Sequence, residues 1–297
     1  MTLTISCRAT DADKHDKDVS ELLYHKGKLY SGGDDGKIKV WSADLVKEAE
    51  IQAHILPVFS LAASEDTLYS CSSDGSVKCF DLNTLKEKTA LKENEKVEYW
   101  RVRYTNGNLY VGDNEGNVSV YKNNQFYGFV NVAEPIKDMQ VLEPYVLTVQ
   151  DSDLVITEFK LGGESIQWAT DSNIPGRGPI ALIGSKLFAL IDRDGKEILL
   201  HSTNKHAEFK QLAKIVHGSA DDRIINALCG IQWGEQKFLF SGGWDKVLKK
   251  WKVINDQGLS DEGSVEVDLV INSIAAGDDN QVYAAGSDGH IVRVQAS

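Results

Sequence analysis

A short hairpin motif recurs seven times along this chain of 297 residues. The first copy reads Leu-Tyr-Ser-Gly-Gly-Asp-Asp-Gly-Lys-Ile-Lys-Val-Trp and ends at residue 41, and the later copies end at residues 80, 121, 159, 200, 251 and 294. A motif that returns after about forty residues indicates one supersecondary unit used repeatedly. Because the copies cover nearly the whole sequence, we predict one domain spanning residues 1–297.

Each copy predicts two strands joined by a tight turn. Asp-Gly pairs favour such turns, since glycine adopts positive φ without steric cost, and they occur at residues 35–36, 74–75, 194–195 and 288–289. A further apolar strand precedes each hairpin, beginning near residues 19, 58, 99, 136, 180, 225 and 271, and a more polar stretch follows each one. Four strands per repeat predict an all-β fold, a seven-bladed β-propeller with four-stranded antiparallel blades.

The two ends of the sequence predict how the ring closes. The last hairpin has no following fourth strand, while the apolar segment 3–9 precedes the first blade and has no other partner. We therefore expect the N-terminal strand to join the last blade, which leaves only short edges. Residues 201–223 and 255–264 interrupt the period, and we expect solvated loops in both, with a partner site as the alternative.

Composition limits the classes of partner and the compartment. A formal charge of −12 argues against direct nucleic-acid binding and against anionic lipid surfaces. No run approaches the roughly 18 apolar residues of a membrane helix, and the first residues do not resemble a secretory signal. The four cysteines form no CxxC pair, so we expect reduced thiols and an intracellular protein, cytoplasmic, nuclear or both.

Three repeats carry a similar polar pattern of His before the first strand, Ser on the second, Asp in the turn and an aromatic residue on the third. The matching residues are His15, Ser31, Asp35 and Trp41; His54, Ser70 and Asp74, followed by Phe80; and His217, Ser241, Asp245 and Trp251. This pattern resembles the WD-repeat (WD40-type) β-propeller family. The resemblance implies that each set is a buried hydrogen-bonded tetrad that holds its blade together, while the other four repeats are degenerate.

The same residue types could suggest a serine hydrolase, but the pattern argues against one. A catalytic triad needs one exposed nucleophile beside an oxyanion hole, whereas this constellation occurs three times, and no GxSxG elbow is present. His201 and His206 stand in an expected loop without a cysteine cluster, so we predict no metal site. We expect no enzyme activity, no catalytic residues and no cofactor.

The resemblance implies a binding rim around the central opening on the narrow face. Three large aromatic residues fall at rim positions, and four basic residues accompany them. They are Phe59, Trp100 and Trp244, with Arg101, Lys137, Arg177 and Arg193. Exposed tryptophan beside arginine is typical of protein-interface hot spots. The alternative is structural, with Trp100 packed between blades and Trp244 covering the mouth of the channel.

These observations predict a non-catalytic scaffold or adaptor that docks a peptide or protein loop on the narrow face. We expect a monomer that works as a subunit of a multiprotein complex. Two alternatives stay open. One is a propeller enzyme resembling metal-dependent lactonases, and the other is a substrate receptor or histone-peptide reader, in which the aromatic rim would hold a methylated lysine by cation–π contacts.

Overall fold

A computed structural model of the chain describes residues 3–217, 224–278 and 280–296. The strands are arranged in seven antiparallel sheets of four, which confirms the seven-bladed propeller. Part of the interrupting segment predicted at 201–223 lies outside the described residues. Within the described part, two short 3₁₀ turns occur, at Lys205–Ala207 and Ser287–Gly289.

The strands are numbered in chain order and occupy four concentric positions. The innermost strands are β2 (Val19–His25), β6 (Val58–Ala63), β10 (Tyr99–Thr105), β14 (Asp138–Leu142), β18 (Arg177–Ile183), β22 (Ile225–Trp233) and β26 (Ile271–Ala276). The second strands are β3 (Lys28–Gly33), β7 (Thr67–Ser72), β11 (Asn108–Asp113), β15 (Tyr145–Val149), β19 (Leu187–Ile191), β23 (Gln236–Gly243) and β27 (Gln281–Gly286).

The two outer positions complete each blade. The third strands are β4 (Lys37–Ser42), β8 (Ser76–Asp81), β12 (Asn117–Lys122), β16 (Asp153–Lys160), β20 (Glu197–Ser202), β24 (Val247–Ile254) and β28 (Ile291–Ala296). The outermost strands are β5 (Lys47–Gln52), β9 (Glu87–Glu93), β13 (Gln125–Asn131), β17 (Gln167–Pro175), β21 (Gln211–Val216), β25 (Gly258–Glu266) and β1 (Leu3–Arg8).

The ring closes through the N-terminal strand. The last sheet has the order β1-β28-β27-β26, with Leu3 opposite Ala296 and Ile5 opposite Val294. Each innermost strand contacts its neighbours, and β26 contacts both β22 and β2. The prediction that the first strand supplies the outer position of the last blade is confirmed.

Hydrophobic clusters lie between consecutive blades. Each cluster combines side chains of one blade with the first strand of the next, for example Ile38 with Val58 and Leu248 with Ile271. Glycine on the second strand permits this close approach. A Cβ added at Gly32 would lie 2.7 Å from Val58 Cγ1, and one at Gly242 would lie 2.5 Å from Ile271 Cδ1. The blades therefore pack closely at the level of the turns.

Two local predictions were wrong. Residues 255–264 were expected to form a loop, but Gly258–Glu266 pairs with β24 as an outermost strand after a turn in which Asn255 and Asp256 have positive φ. His201 was expected in a loop, but it lies in β20 and is buried. Its ring stacks on Phe188, and its Nδ1 lies 2.9 Å from the carbonyl oxygen of Phe209.

Candidate functional site

In blade one, four polar side chains form a hydrogen-bonded set. His15 Nδ1 lies 3.0 Å from Asp35 Oδ1, and His15 Nε2 lies 2.7 Å from Ser31 Oγ. Trp41 Nε1 donates to Ser31 Oγ at 2.9 Å. The tautomer that satisfies every partner carries the proton on Nδ1, so that Ser31 donates to His15 and accepts from Trp41. The set links the segment before β2 to β3, β4 and the intervening turn.

The second set contains one additional hydroxyl. In blade two, His54 Nε2 lies 2.7 Å from Ser70 Oγ and His54 Nδ1 lies 3.1 Å from Asp74 Oδ2. Ser76 Oγ donates to Asp74 Oδ1 at 2.6 Å. Phe80 replaces the tryptophan, so Ser70 has no indole donor in this blade.

In blade six the histidine ring is flipped relative to those of blades one and two, so that Nδ1 faces the serine and Nε2 faces the aspartate. His217 Nδ1 lies 2.8 Å from Ser241 Oγ, and Nε2 lies 3.3 Å from Asp245 Oδ2. Trp251 Nε1 donates to Ser241 Oγ at 2.7 Å. Ser31, Ser70 and Ser241 are completely buried, which keeps their hydroxyls away from any substrate in solution. The arrangement therefore supports the blades and presents no accessible nucleophile.

The carboxylates of the first two sets are held ionised. Burial raises the pKa of Asp35, but hydrogen bonds from His15 and from the backbone N–H groups of Lys37 and Asp16 outweigh it and lower the pKa to about 2. The pKa of Asp74 is also lowered, because hydrogen bonds from His54 and Ser76 outweigh the effect of burial. Each ionised carboxylate satisfies backbone donors of a tight turn, which fixes the turn beside the channel mouth.

Asparagine at position 35 should make the fold less sensitive to acid. The pKa of Asp35 lies below its ordinary value of 3.8 in the folded protein, so its stabilisation is complete above that value and is lost as the pH falls toward about 2. Between pH 5 and pH 2, wild type should lose about 2 kcal/mol more unfolding free energy than Asp35→Asn. Urea unfolding across this range measures the difference.

Asp194→Asn is the matched control for that experiment. Asp194 occupies the corresponding turn of blade five and is exposed, so its replacement should leave the pH dependence of wild type unchanged. Parallel profiles for wild type and Asp35→Asn would contradict the assignment of acid sensitivity to the tetrad carboxylate.

The narrow face carries the starts of the innermost strands and the turns between the second and third strands. Antiparallel pairing places these together, as in Ile225 opposite Gly243 and Val58 opposite Ser72. In five blades the second residue of the innermost strand is a bulge residue without a partner in the ladder. They are Ser20, Phe59, Trp100, Asn226 and Asn272. Bulges redirect side chains, and here they do so at the channel mouth.

The three aromatic residues differ in exposure. Trp244 is 59% exposed on the turn between β23 and β24, where its backbone N–H donates to the Ile224 carbonyl at 3.1 Å. Trp100 is half-buried, and its Nε1 donates to Glu98 Oε2 at 2.8 Å. Phe59 is also half-buried and packs against the cluster between blades two and three. Trp244 therefore offers the largest free aromatic surface of the three.

Two exposed aliphatic residues on this face were missed by the sequence analysis. Ile55 is 87% exposed and Leu56 is 46% exposed, in the connection that leads into β6. They precede Pro57 and lie within four residues of Phe59. The signal that could have identified them is an apolar pair directly after the tetrad His54, where the chain runs over the surface.

The four basic residues converge on one cavity at the channel mouth. Arg101, Lys137, Arg177 and Arg193 all line a space of about 510 Å³, together with Asn226 and Asn272. We call this space the mouth cavity. It adjoins a second space of about 390 Å³ inside the channel, and both are lined by Arg101, Asp138 and Asn226. The basic side chains come from blades three, four and five.

Arg101 takes part in a half-buried charge cluster in the channel. Its Nε donates to Asp138 Oδ1 at 2.9 Å, and its Nη1 donates to the Trp100 carbonyl at 2.8 Å. Asp138 Oδ2 also accepts from the backbone N–H of Ile180 at 2.7 Å. Arg101 therefore makes hydrogen bonds within the protein through two of its nitrogens, whereas the sequence analysis placed it among the residues that bind a partner.

Arg103 and Glu21 extend this cluster across the channel. Arg103 Nη2 lies 3.5 Å from Asp138 Oδ1, and Arg103 Nη1 lies 3.7 Å from Glu21 Oε1. Burial raises the pKa of Glu21 despite the nearby arginines. The cluster thus connects blades one, three and four through charged side chains on their innermost strands. Sequence reasoning did not identify Asp138, because its partners lie on other blades.

Two further features bear on the alternatives. Among residues 3–217, 224–278 and 280–296, no group of three or more His, Cys, Asp or Glu side chains is placed to hold a metal ion. No helix in the described part of the chain has the length and apolarity needed to cross a membrane.

The comparisons with known proteins agree with this geometry. Residues 6–42 and 46–81 match the family model of the WD domain, G-beta repeat. The first 81 residues therefore contain two WD repeats. A search of curated proteins finds no match to this chain. Members of the family typically mediate protein–protein interactions.

A solved structure has the same fold. The crystal structure of the WD40 beta propeller domain of Doa1 superimposes with a TM-score of 0.79, at 15% sequence identity. The match covers 100% of this chain and 97% of that chain. At this level of identity the likeness shows the fold alone.

Proposed function

We propose that this chain is a non-catalytic interaction module that docks a peptide or protein loop on its narrow face. Phe59, Trp100 and Trp244 anchor the partner, and the basic residues of the mouth cavity pair with its acidic groups. The protein acts as a scaffold or adaptor subunit of a larger assembly. Its partners are proteins, and it binds neither nucleic acid nor membrane directly.

The observation that carries the proposal is the exposed indole of Trp244. A side chain that is 59% exposed contributes little to the core, and its large apolar surface gains most by burial against a partner. Ile55 and Leu56 add apolar surface on the same face. The mouth cavity lies on the same face and supplies the charged groups that an interface needs for specificity.

The enzyme alternative has less support. The buried serines of the tetrads cannot meet a substrate, and the carboxylates nearest the channel are already bound to arginine or to backbone donors. Glu21 and Asp138 face arginines across the channel, which neutralises the charge that a cation would require.

Trp244→Ala should leave the fold intact and remove most of the docking affinity. A random peptide library selected against the wild-type protein supplies the probes. We expect the selected peptides to bind Trp244→Ala at least about tenfold more weakly, because exposed tryptophans are frequent hot spots. Fluorescence anisotropy with labelled peptides measures the affinity, and thermal unfolding checks the fold.

Trp168→Ala is the matched control. Trp168 is 51% exposed on the outermost strand of blade four, away from the narrow face, so its replacement should leave peptide affinity unchanged. Equal losses in both variants would indicate non-specific hydrophobic binding and contradict the proposal. Unfolding of Trp244→Ala would assign the indole to the fold instead.

A further inference from the structure

The mouth cavity has a charge opposite to that of the protein. The whole chain has a formal charge of −12, yet the described residues that line the cavity include four basic side chains and two carboxylates, those of Asp138 and Asp151. The lining therefore has a formal charge of +2. Such a local reversal attracts anions, and a concave wall strengthens the attraction because less water screens it.

The basic side chains differ in the hydrogen bonds and ion pairs that they already make within the protein. Lys137 pairs with Asp151, which is 79% exposed, and Arg193 pairs with Asp153 and with the Ser152 carbonyl. These contacts at the solvent edge are weak and exchange readily. The ammonium of Lys137 and the guanidinium of Arg193 can therefore turn toward an anion in the cavity.

Arg177 differs from the other three. Among the described residues, its guanidinium has no hydrogen-bonding or ion-pair partner. The guanidinium of Arg177 lies against the turn at Gly195. A Cβ added to this glycine would lie 3.3 Å from Arg177 Nη1. The amide of Asn226, which also lines the cavity, makes no side-chain hydrogen bond within the described part of the chain. Within the described residues, the cavity thus holds a planar donor group and an amide donor that make no other contact of this kind.

We infer that the mouth cavity binds a phosphate group in its dianionic form. A dianion balances the formal charge of the lining, whereas a carboxylate balances half of it. A guanidinium donates two parallel hydrogen bonds to phosphate oxygens, and the remaining oxygens accept from Lys137, Arg193 and Asn226. Arg101 stays bound to Asp138 at the inner wall and contributes its charge.

Two sources could supply this group. One is a phosphorylated side chain of a docked peptide, which rests on the proposed function, and the other is a small free phosphate compound. The binding of inorganic phosphate, with no peptide present, tests the cavity itself. The peptide arm of the experiment then distinguishes the sources.

Isothermal titration of the full chain with inorganic phosphate, near pH 8 and at constant ionic strength in chloride, tests the inference. We expect saturable binding of about one phosphate per chain, with acetate much weaker at the same concentration. Arg177→Gln should weaken phosphate binding at least about tenfold, since it removes the guanidinium that would donate two parallel hydrogen bonds to phosphate. Lys160→Gln removes the same charge from the exposed end of β16 and should leave binding unchanged.

The outcomes separate clearly. No saturable binding, equal binding of acetate, or equal losses in Arg177→Gln and Lys160→Gln would each overturn the inference. If Arg177→Gln does not fold, Lys137→Gln gives the same test, because its side chain is 50% exposed and is not needed for packing. Its loss should weaken phosphate binding several-fold.

Phosphoserine is then placed in peptides selected for docking, with serine and aspartate versions for comparison. Tighter binding of the phosphoserine version, lost in Arg177→Gln, assigns the site to a phosphorylated partner. If inorganic phosphate binds saturably but phosphoserine does not strengthen peptide binding, the site is assigned to a free phosphate compound. Because unphosphorylated peptides report on Trp244 and inorganic phosphate reports on Arg177, failure of one proposal is distinguishable from failure of the other.

Discussion

Replacing Trp41 by alanine should lower the free energy of unfolding by about 3–5 kcal/mol. The indole is completely buried in the cluster between the last and first blades, beside Leu29 and Ile291. Its removal leaves a cavity and also takes away the donor of a buried hydrogen bond to Ser31. Equilibrium unfolding in urea, followed by circular dichroism so that the tryptophan signal is not needed, measures the loss.

Trp168→Ala provides the comparison for the same substitution at an exposed position. With 51% of its surface in solvent, Trp168 should contribute about 1 kcal/mol or less. Trp41→Phe should fall between wild type and alanine, because it keeps most of the apolar volume and loses the hydrogen bond, as Phe80 does naturally in blade two. Similar losses for Trp41→Ala and Trp168→Ala would contradict the structural role of the tetrad.

The second large effect concerns the charge cluster in the channel. Asp138→Ala should destabilise the fold by about 3–5 kcal/mol, because it removes a buried carboxylate and leaves the half-buried guanidinium of Arg101 without its partner. Asp138 also accepts backbone hydrogen bonds from Met139 and Ile180, so three donors lose their partner at once. Urea unfolding at neutral pH measures the change.

Asp151→Ala is the control for this prediction. Asp151 is also an aspartate bound to a basic side chain, Lys137, but the carboxylate is 79% exposed. An exposed ion pair contributes about 0–1 kcal/mol, so the variant should unfold close to wild type. A loss for Asp138→Ala no greater than that for Asp151→Ala would show that the channel charges are not structurally coupled.

The architecture was predictable because it depends on local signals that repeat. Turn residues such as Asp35-Gly36, the apolar strands around them and the spacing between copies all recur. Each of these signals is weak in one repeat but becomes clear because it occurs several times. The position of the N-terminal strand in the last blade follows because that blade otherwise has three strands. The strand Gly258–Glu266 was missed because it lies at the edge of blade six, where backbone pairing rather than apolar side chains holds it.

The site was less predictable because it is built between blades. The sequence placed seven residues at the rim by their position in the repeat, and it treated Arg101, Arg177 and Arg193 as equivalent. In the structure their environments differ, since Arg101 binds Asp138, Arg193 binds Asp153 and Arg177 has room against Gly195. The exposed pair Ile55 and Leu56 gave no periodic signal.

The sequence alone determined the number of blades, the turns between strands and the polar sets that recur in three of the repeats, since each arises within one repeat and needs only residues close in sequence. Tertiary structure alone decided which charges face each other across the channel and which aromatic rings stay exposed. Those outcomes depend on how seven repeats with different side chains meet around one axis, where residues distant in sequence share the same low-dielectric space.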